Sequence, residues 1–213
     1  MTSRDLPRLC LITDAGRVGE AALVRAVEAA GRAGLRFLQV RERSLPPAEV
    51  RRLVARLRSF LPRDAIVVAS STGRAADFAL EVRADGAHVG GSDLKLLREA
   101  RRVLPRGHRV GYSAHSAQEA AAAGVAGADY VFLAPIFATL SKESHREPLG
   151  VEKLADACRA ASIPVFALGG ITAERVGLAK AAGAWGVAVI GAIVDSSDPE
   201  AAARGLLTLL EAR

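Results

Sequence analysis

The sequence has little of what marks several common classes of protein. Of its 213 residues only 4% are aromatic and two are cysteine, Cys10 and Cys158. Two cysteines are too few for a disulfide framework, and so few rings leave little for stacking on nucleic-acid bases. The longest uncharged apolar run, residues 181–194, is short of the ~18 residues of a membrane helix. The first seven residues contain no apolar signal segment. We therefore expect a soluble, cytoplasmic protein without a membrane partner.

The charge is basic but dispersed. Lysine and arginine number 29 against 23 acidic residues, a formal net charge of +6. Such a balance can indicate nucleic acid, a membrane surface or anionic small molecules as partners. The arginines are scattered over the outer faces of the predicted helices, which favours a solvated surface that weakly attracts anions over a nucleic-acid interface. The pattern leaves a homo-oligomer open.

Apolar strand-like runs alternate with helix-period runs along the whole chain. The predicted strands are residues 9–13, 37–40, 65–69, 86–89, 109–113, 130–133, 165–168 and 186–190. The helices that follow them are residues 20–32, 47–60, 73–82, 94–103, 117–124, 151–161, 173–182 and 198–212. This alternation predicts a parallel sheet, and continuously apolar strands predict burial of both sheet faces. Eight units favour a single (β/α)8 TIM-barrel domain over residues 1–213. An open doubly wound sheet is disfavoured because no glycine-rich turn follows the first strand.

Glycine-containing segments follow the seventh and eighth predicted strands. Gly169 and Gly170 come after the seventh, and Val189, Ile190 and Gly191 come at the end of the eighth. In this architecture the active site lies at the carboxyl ends of the strands, and these two loops with a short helix commonly bind phosphate. We therefore predict a phosphate site here; the alternative is that the glycines only make tight turns.

Three polar residues alternate at the end of the second predicted strand, namely Gln39, Arg41 and Arg43. Residues two apart on a strand share a face, so all three should point into the barrel mouth. Two guanidinium groups there would bind an anionic substrate. The alternative is a structural network of ion pairs with Glu42 or Asp14.

Histidine and hydroxyl side chains follow the fifth predicted strand. Ser113 and His115 should share the inward face, where His115 could act as a general base and Ser113 could bind substrate. The alternative is that His115 has only a structural role. His88 has apolar neighbours on the fourth strand and is interpreted as a hydrogen-bonded core residue.

The sixth loop, residues 134–150, is far longer than an ordinary loop of this kind. It contains Thr139, Ser141 and Lys142, which we expect to bind substrate as parts of a lid over the mouth. The alternative is a disordered insertion. No cluster of cysteine and histidine has the spacing of a zinc site.

Taken in order, the motifs of this chain resemble those of the thiamine-phosphate synthase/TenI family along nearly its full length. The matching pieces are Leu-Ile-Thr-Asp at 11–14, Gln-Val-Arg at 39–41, Asp-Gly-Ala-His-Val-Gly at 85–90, Gly-Tyr-Ser-Ala-His at 111–115, Asp-Tyr-Val at 129–131, Ala-Pro-Ile-Phe-Ala-Thr at 134–139, Gly-Gly-Ile at 169–171 and Gly-Val-Ala-Val at 186–189. No single piece is specific, but their order and spacing are.

The resemblance implies one of two activities. The synthase joins an aminopyrimidine pyrophosphate to a thiazole phosphate with Mg²⁺ and releases pyrophosphate. Its motifs include Gln-x-Arg-x-Lys, an Asn-Asp pair after the third strand, an Asp after the fourth and Thr-x-Thr-Lys in the sixth loop. The TenI branch contains thiazole tautomerase, which moves a proton on a carboxythiazole phosphate without metal, with a histidine after the fifth strand as its proposed base.

This chain departs from the synthase pattern at several positions. Arg43 replaces the lysine of the first motif, Gly91 replaces the glutamine two residues before Asp93, and Ser141 replaces the second threonine of the sixth loop. The Asn-Asp pair aligns with Gly-Arg at 73–74 or Ser-Ser at 70–71, so both side chains are missing. Asp93 matches the aspartate after the fourth strand.

We therefore predict a TenI-type thiazole tautomerase that binds a small phosphorylated thiazole, uses His115 to shuttle the proton and needs no metal. The reason is that loss of a Mg²⁺ ligand should cripple pyrophosphate release. One alternative is a thiamine-phosphate synthase with Mg²⁺ near Asp93. The other is a non-catalytic TenI-like regulator, although no helix-turn-helix stands out.

Overall fold

Eight parallel strands form a closed barrel in the computed structural model. The structure describes residues 6–71, 73–91, 93–138 and 147–212, without the side chain of residue 71. Each strand pairs with the next along the chain, and the first pairs with the eighth. The predicted (β/α)8 TIM-barrel fold is therefore confirmed.

The strands and helices alternate as predicted. The strands are β1 (Leu9–Ile12), β2 (Phe37–Val40), β3 (Ile66–Ser71), β4 (Gly86–Val89), β5 (Arg109–Ala114), β6 (Tyr130–Leu133), β7 (Val165–Leu168) and β8 (Gly186–Val189). The helices are α1 (Ala15–Val18), α2 (Glu20–Arg32), α3 (Pro47–Arg58), α4 (Ala75–Glu81), α5 (Leu94–Val103), α6 (Ala117–Val125), α7 (Gly150–Ala160), α8 (Ala173–Ala181), α9 (Gly191–Val194) and α10 (Pro199–Glu211). The predicted set lacked α1 and α9, because four residues are too few to show a helical period.

Aromatic side chains fill the inside of the barrel. Phe37, Tyr130, Phe132 and Phe166 are each at most 1% exposed, and their ring centroids lie 5.1 to 6.4 Å apart. Most of these pairs meet edge to face, which is a favourable geometry for aromatic rings. Four of the nine aromatic residues of the chain thus lie inside the barrel, where they form the floor beneath the mouth.

The helices cover the outside of the barrel with one apolar face each. Leu23, Val27 and Ala30 of α2 are fully buried, and their spacing of three or four residues places them on one side of the helix. On the opposite side Arg32 contacts Glu200 of α10 at 2.9 Å. Exposed ion pairs of this kind contribute little to stability. They account for part of the dispersed charge, and they do not require a nucleic-acid or membrane partner.

None of the helices in the described ranges has both the length and the apolar composition that are needed to cross a lipid bilayer.

The start of β8 leaves no room for a side chain at Gly186. A Cβ atom there would lie 2.0 Å from the carbonyl oxygen of Arg8. We expect Gly186→Ala to destabilise the protein by about 1–3 kcal/mol or more, the ordinary cost of overpacking. Gly205→Ala in α10 is the matched control, since a Cβ there meets nothing within 4 Å and alanine favours a helix interior by about 0.5–1 kcal/mol. Urea unfolding of both variants measures the difference; equal stabilities would contradict this packing.

Candidate active site

A cleft of about 720 Å³ opens at the carboxyl ends of β7 and β8. Its lining is made of the two glycine-containing loops, the start of α8, the short helix α9 and one residue from each of two other loops. These last two are Arg17 of α1 and Ala138 of the sixth loop. All five residues of the predicted phosphate site lie here: Gly169, Gly170, Val189, Ile190 and Gly191.

Glycine is required in the loop after β7 for two reasons. Gly169 and Gly170 have φ angles of +96° and +62°, in the left-handed region that side chains rarely adopt. A Cβ at Gly170 would also lie 2.4 Å from the carbonyl oxygen of Ala138. The loop after β7 therefore packs directly on the sixth loop, and its backbone can approach a ligand closely.

An ion pair across the cleft was not predicted from the sequence. The guanidinium of Arg17 donates to both carboxylate oxygens of Asp195, with Nε at 2.8 and 2.9 Å. A Cβ at Gly191 would lie only 2.6 Å from Oδ2 of Asp195. The pair thus connects the loop after β1 to the end of α9, beside the predicted phosphate site. The two residues are 178 positions apart, so no local pattern could have indicated the contact.

The predicted anion-binding residues of β2 differ in their surroundings. Phe37 belongs to the barrel interior, so Gln39 and Arg41 face inward as well by alternation. Gln39 is 2% exposed, and its Oε1 atom has no hydrogen-bond partner among the described residues. Arg41 is half-buried, whereas Arg43 is exposed. A buried amide oxygen that accepts no hydrogen bond destabilises the fold. A ligand that donates a hydrogen bond to Oε1 of Gln39 would remove this cost.

Glu42 forms a brace between the first two loops. It is 7% exposed, and its carboxylate oxygens accept the backbone N–H of Ala15 at 3.1 and 3.0 Å. Thr13 also hydrogen-bonds this carboxylate and accepts the N–H of Arg41 at 3.0 Å. Burial raises the pKa of Glu42 above its ordinary value. Glu42 therefore holds the loop that carries Arg41, a positioning role that the sequence did not reveal.

Ser113 connects the mouth to the barrel interior. Its Oγ atom lies 2.9 Å from Nε2 of His88, and Nδ1 of His88 lies 3.2 Å from the hydroxyl of Tyr130. His88 is 1% exposed, and its interpretation as a hydrogen-bonded core residue is confirmed. Desolvation, with a smaller contribution from the charge of Arg41, lowers the pKa of His88 to about 3.

His115 lies at the rim of the mouth, one residue beyond β5. Its Nδ1 atom is 2.7 Å from the carbonyl oxygen of Ala134; because a carbonyl only accepts, Nδ1 carries a proton. Its backbone N–H donates to Glu119 at 2.8 Å. A Cβ at Gly91 would lie 3.1 Å from Nε2 of the ring. His115 is thus oriented by the sixth loop, and its catalytic role stays a prediction.

The described residues contain no group of three or more histidine, cysteine or acidic side chains that could enclose a metal ion. Serines lie at the end of β3, at one of the two alignments of the missing Asn-Asp pair. At the other alignment, Arg74 forms an ion pair with Asp77. Asp93 begins α5, where its Oδ1 atom accepts the N–H of Lys95 at 2.7 Å. Mg²⁺ is commonly held by one or two carboxylates, water and substrate phosphates. Asp93 fits that mode as a single carboxylate.

Three predicted substrate-binding residues, Thr139, Ser141 and Lys142, lie outside the described residues. The described part of the sixth loop ends at Ala138, which lines the cleft, and resumes at Glu147.

The fold and this site define a (β/α)8 barrel with a ligand cleft at the carboxyl ends of its strands. The model of the thiamine monophosphate synthase family matches residues 9–193, and the chain belongs to that family. It is 42% identical to a thiamine-phosphate synthase of Synechococcus sp. (strain WH7803), over 95% of this chain and 57% of the relative's length. It is 39% identical to a thiamine-phosphate synthase of Roseiflexus sp. (strain RS-1), over 92% of this chain and 82% of the relative.

Among solved structures, the chain is similar to a thiamine phosphate pyrophosphorylase from Pyrococcus furiosus. The TM-score is 0.84 at 29% identity, over 98% of this chain and 97% of the other. The predicted family is therefore confirmed. The prediction of a thiazole tautomerase, and with it an isomerase, is wrong, because these relatives are named for the synthase reaction. Nothing in the comparisons favours the TenI branch.

The glycine geometry of the loop after β7 makes the predicted phosphate site testable. Gly170→Ala forces a side chain into a left-handed conformation, at about 1–2 kcal/mol, and against Ala138. We expect its affinity for inorganic phosphate to fall about tenfold or more, as measured by isothermal titration calorimetry. Gly177→Ala in α8 is the control, since a Cβ there meets nothing within 4 Å. Equal affinities of the two variants would refute the site.

Proposed function

We propose that this protein is a thiamine-phosphate synthase, a transferase that joins an aminopyrimidine pyrophosphate to a thiazole phosphate and releases pyrophosphate. The observation that carries the proposal is an identity of about 40% to proteins of that name over more than nine-tenths of the chain. With free cysteines at positions 10 and 158, such a biosynthetic enzyme fits a cytoplasmic setting.

The single phosphate of the thiazole binds in the cleft between the loops after β7 and β8. Backbone N–H groups beside Gly170, together with those of Gly191 and Ala192, suit a phosphate. The N–H groups of the next two residues of α9 already donate to the carbonyl oxygen of Ile190. The side chains that line this cleft are balanced in charge. Arg17 and Arg175 line it together with Asp195 and Glu174, so the backbone supplies the main attraction.

The pyrophosphate of the other substrate binds on the opposite side of the mouth. It carries more negative charge than a single phosphate and suits the side where the guanidinium groups of Arg41 and Arg43 follow β2. Ser113 adds a hydroxyl there. The unpartnered Oε1 atom of Gln39 can accept a hydrogen bond from the amino group of the pyrimidine. The two substrates are thereby held with their reacting ends between two anion-binding sides, which favours bond formation through proximity and orientation.

Asp93 would hold Mg²⁺ on the side of the pyrophosphate. When bound, Mg²⁺ neutralises charge on the leaving pyrophosphate. Arg41 and Arg43 stabilise the same negative charge. Their contribution compensates in part for the loss of the Mg²⁺ ligand that the Asn-Asp pair would provide. Thr139, Ser141 and Lys142 of the sixth loop stay predicted substrate-binding residues.

An assay of product formation tests the proposal directly. The purified protein is incubated with both substrates, with and without Mg²⁺, and thiamine phosphate and pyrophosphate are measured together. We expect the two products in equal amounts and only with Mg²⁺. Absence of both products at saturating substrate, from protein that still binds inorganic phosphate, would contradict the proposed function.

Asp93→Asn isolates the role of this carboxylate in metal binding. Asparagine caps a helix about as well as aspartate, so α5 should remain intact while the charge is lost. We expect the Mg²⁺ concentration for half-maximal activity to rise about tenfold or more, since outer ligands alone contribute factors of 10–100 to metal affinity. Asp198→Asn, which changes the corresponding cap of α10, should leave the requirement unchanged. An unchanged requirement in Asp93→Asn would exclude Asp93 as a ligand.

A further inference from the structure

Three polar side chains form a chain from the closed interior of the barrel to its mouth. Tyr130 is fully buried and His88 is 1% exposed, whereas Ser113 is half-buried at the end of β5. The Tyr130 hydroxyl lies 3.2 Å from Nδ1 of His88, and Nε2 of His88 lies 2.9 Å from Oγ of Ser113. Ser113 is therefore the member of the chain that reaches the substrate side.

Packing holds this chain in place and keeps it dry. The ring of His88 stacks on Phe132 with centroids 4.6 Å apart and an angle of 30°, which opposes rotation of the imidazole. Phe37 meets Tyr130 edge to face at 5.2 Å. A Cβ at Gly111 would lie 2.3 Å from the Tyr130 hydroxyl and 2.5 Å from Nδ1 of His88. Only a glycine on β5 lets the two rings meet there.

The protonation states of the two buried groups follow from their burial. Desolvation lowers the pKa of His88 to about 3, so the ring is neutral at pH 7 and carries one N–H. Burial raises the pKa of Tyr130 well above its ordinary value, so the phenol keeps its proton. The three hydrogen-bonded side chains then have three mobile hydrogens, one each on Tyr130, the His88 ring and Ser113. The directions in which these hydrogens are donated depend on one another.

Two arrangements of those hydrogens are conceivable, and the structure favours one. In the first, the phenol donates to Nδ1, Nε2–H donates to Ser113 Oγ, and the serine hydroxyl donates into the mouth. In the second, Nδ1–H donates to the phenol oxygen and the serine donates inward to Nε2. Among the described residues His88 Nδ1 is the hydrogen-bond partner recorded for the Tyr130 hydroxyl. The second arrangement therefore leaves a buried O–H unpaired, which is unfavourable.

We propose that Tyr130 and His88 are positioning residues that fix Ser113 as a hydrogen-bond donor towards an anionic oxygen of the substrate. An isolated serine hydroxyl can rotate and either donate or accept. Here Nε2–H occupies a lone pair of Oγ and leaves the hydroxyl hydrogen for the mouth. The assignment of the anion as pyrophosphate rests on the proposed function, whereas the direction of the hydrogen bonds does not.

The tautomer of His88 is the first test, and it needs no substrate. Nitrogen-15 chemical shifts distinguish a ring protonated at Nε2 from one protonated at Nδ1, with the ring signals assigned through backbone connectivity. We expect the Nε2–H form at pH 7 in the intact protein. We also expect Tyr130→Phe, which removes only the hydroxyl, to shift the ring towards the Nδ1–H form. A wild-type ring protonated at Nδ1 would overturn the proposal.

Binding of inorganic pyrophosphate is the second test. We expect Tyr130→Phe to weaken binding about 2- to 12-fold, the effect of one ordinary hydrogen bond, while the thermal unfolding midpoint shows that the protein remains folded. Because Tyr130 acts through Ser113, the same change should have no further effect in a Ser113→Ala background. Tyr112→Phe removes the hydroxyl of a buried tyrosine that faces away from the barrel interior, and should bind like the wild type.

The outcomes separate this inference from the proposed function. Independent, additive losses from Tyr130→Phe and Ser113→Ala would contradict the positioning of Ser113 by Tyr130 and His88, even in an active synthase. The Nε2–H tautomer together with non-additive losses would support that positioning even if no thiamine phosphate were formed. In that case the proposed function alone would fail.

Discussion

The dry aromatic floor of the barrel determines how the polar groups above it behave. Phe37, Phe132 and Phe166 close the interior beneath the mouth, so a polar atom beside them cannot rely on water. Each must find a protein partner or wait for a ligand. His88 finds two partners, and Gln39 Oε1 has none among the described residues. Because of this constraint, the hydrogen-bond donors and acceptors on one side of the mouth have fixed orientations before the substrate binds.

The fold and the position of the glycine-lined cleft could be predicted because their signals are local. Alternating apolar segments indicate the barrel, and glycines after β7 and β8 indicate where backbone comes close to a ligand. The pair of Arg17 with Asp195 and the brace by Glu42 could not be predicted, because they join residues far apart in the chain. The direction of the Ser113 hydroxyl depends on Tyr130, which belongs to a neighbouring strand.

The error about the reaction has a physical explanation. Absence of the Asn-Asp pair favours the tautomerase only if the loss of one Mg²⁺ ligand cripples pyrophosphate release. Mg²⁺ keeps several waters and takes further oxygens from substrate phosphates, so a site can lose one carboxylate and still fit the ion. Asp93 remains at the start of α5, after β4, and Arg41 follows β2, two strands away in the barrel. His115 was a weak criterion, since the resemblance allows a histidine there in both branches.

In the proposed reaction the two anions occupy opposite sides of one mouth. A crystal structure with thiamine phosphate, pyrophosphate and Mg²⁺ tests it most directly. We expect the single phosphate at the backbone of Gly170 and Gly191, and pyrophosphate against Arg41 and the hydroxyl of Ser113. Pyrophosphate in the cleft between the loops after β7 and β8, or a single phosphate beside Arg41, would contradict it.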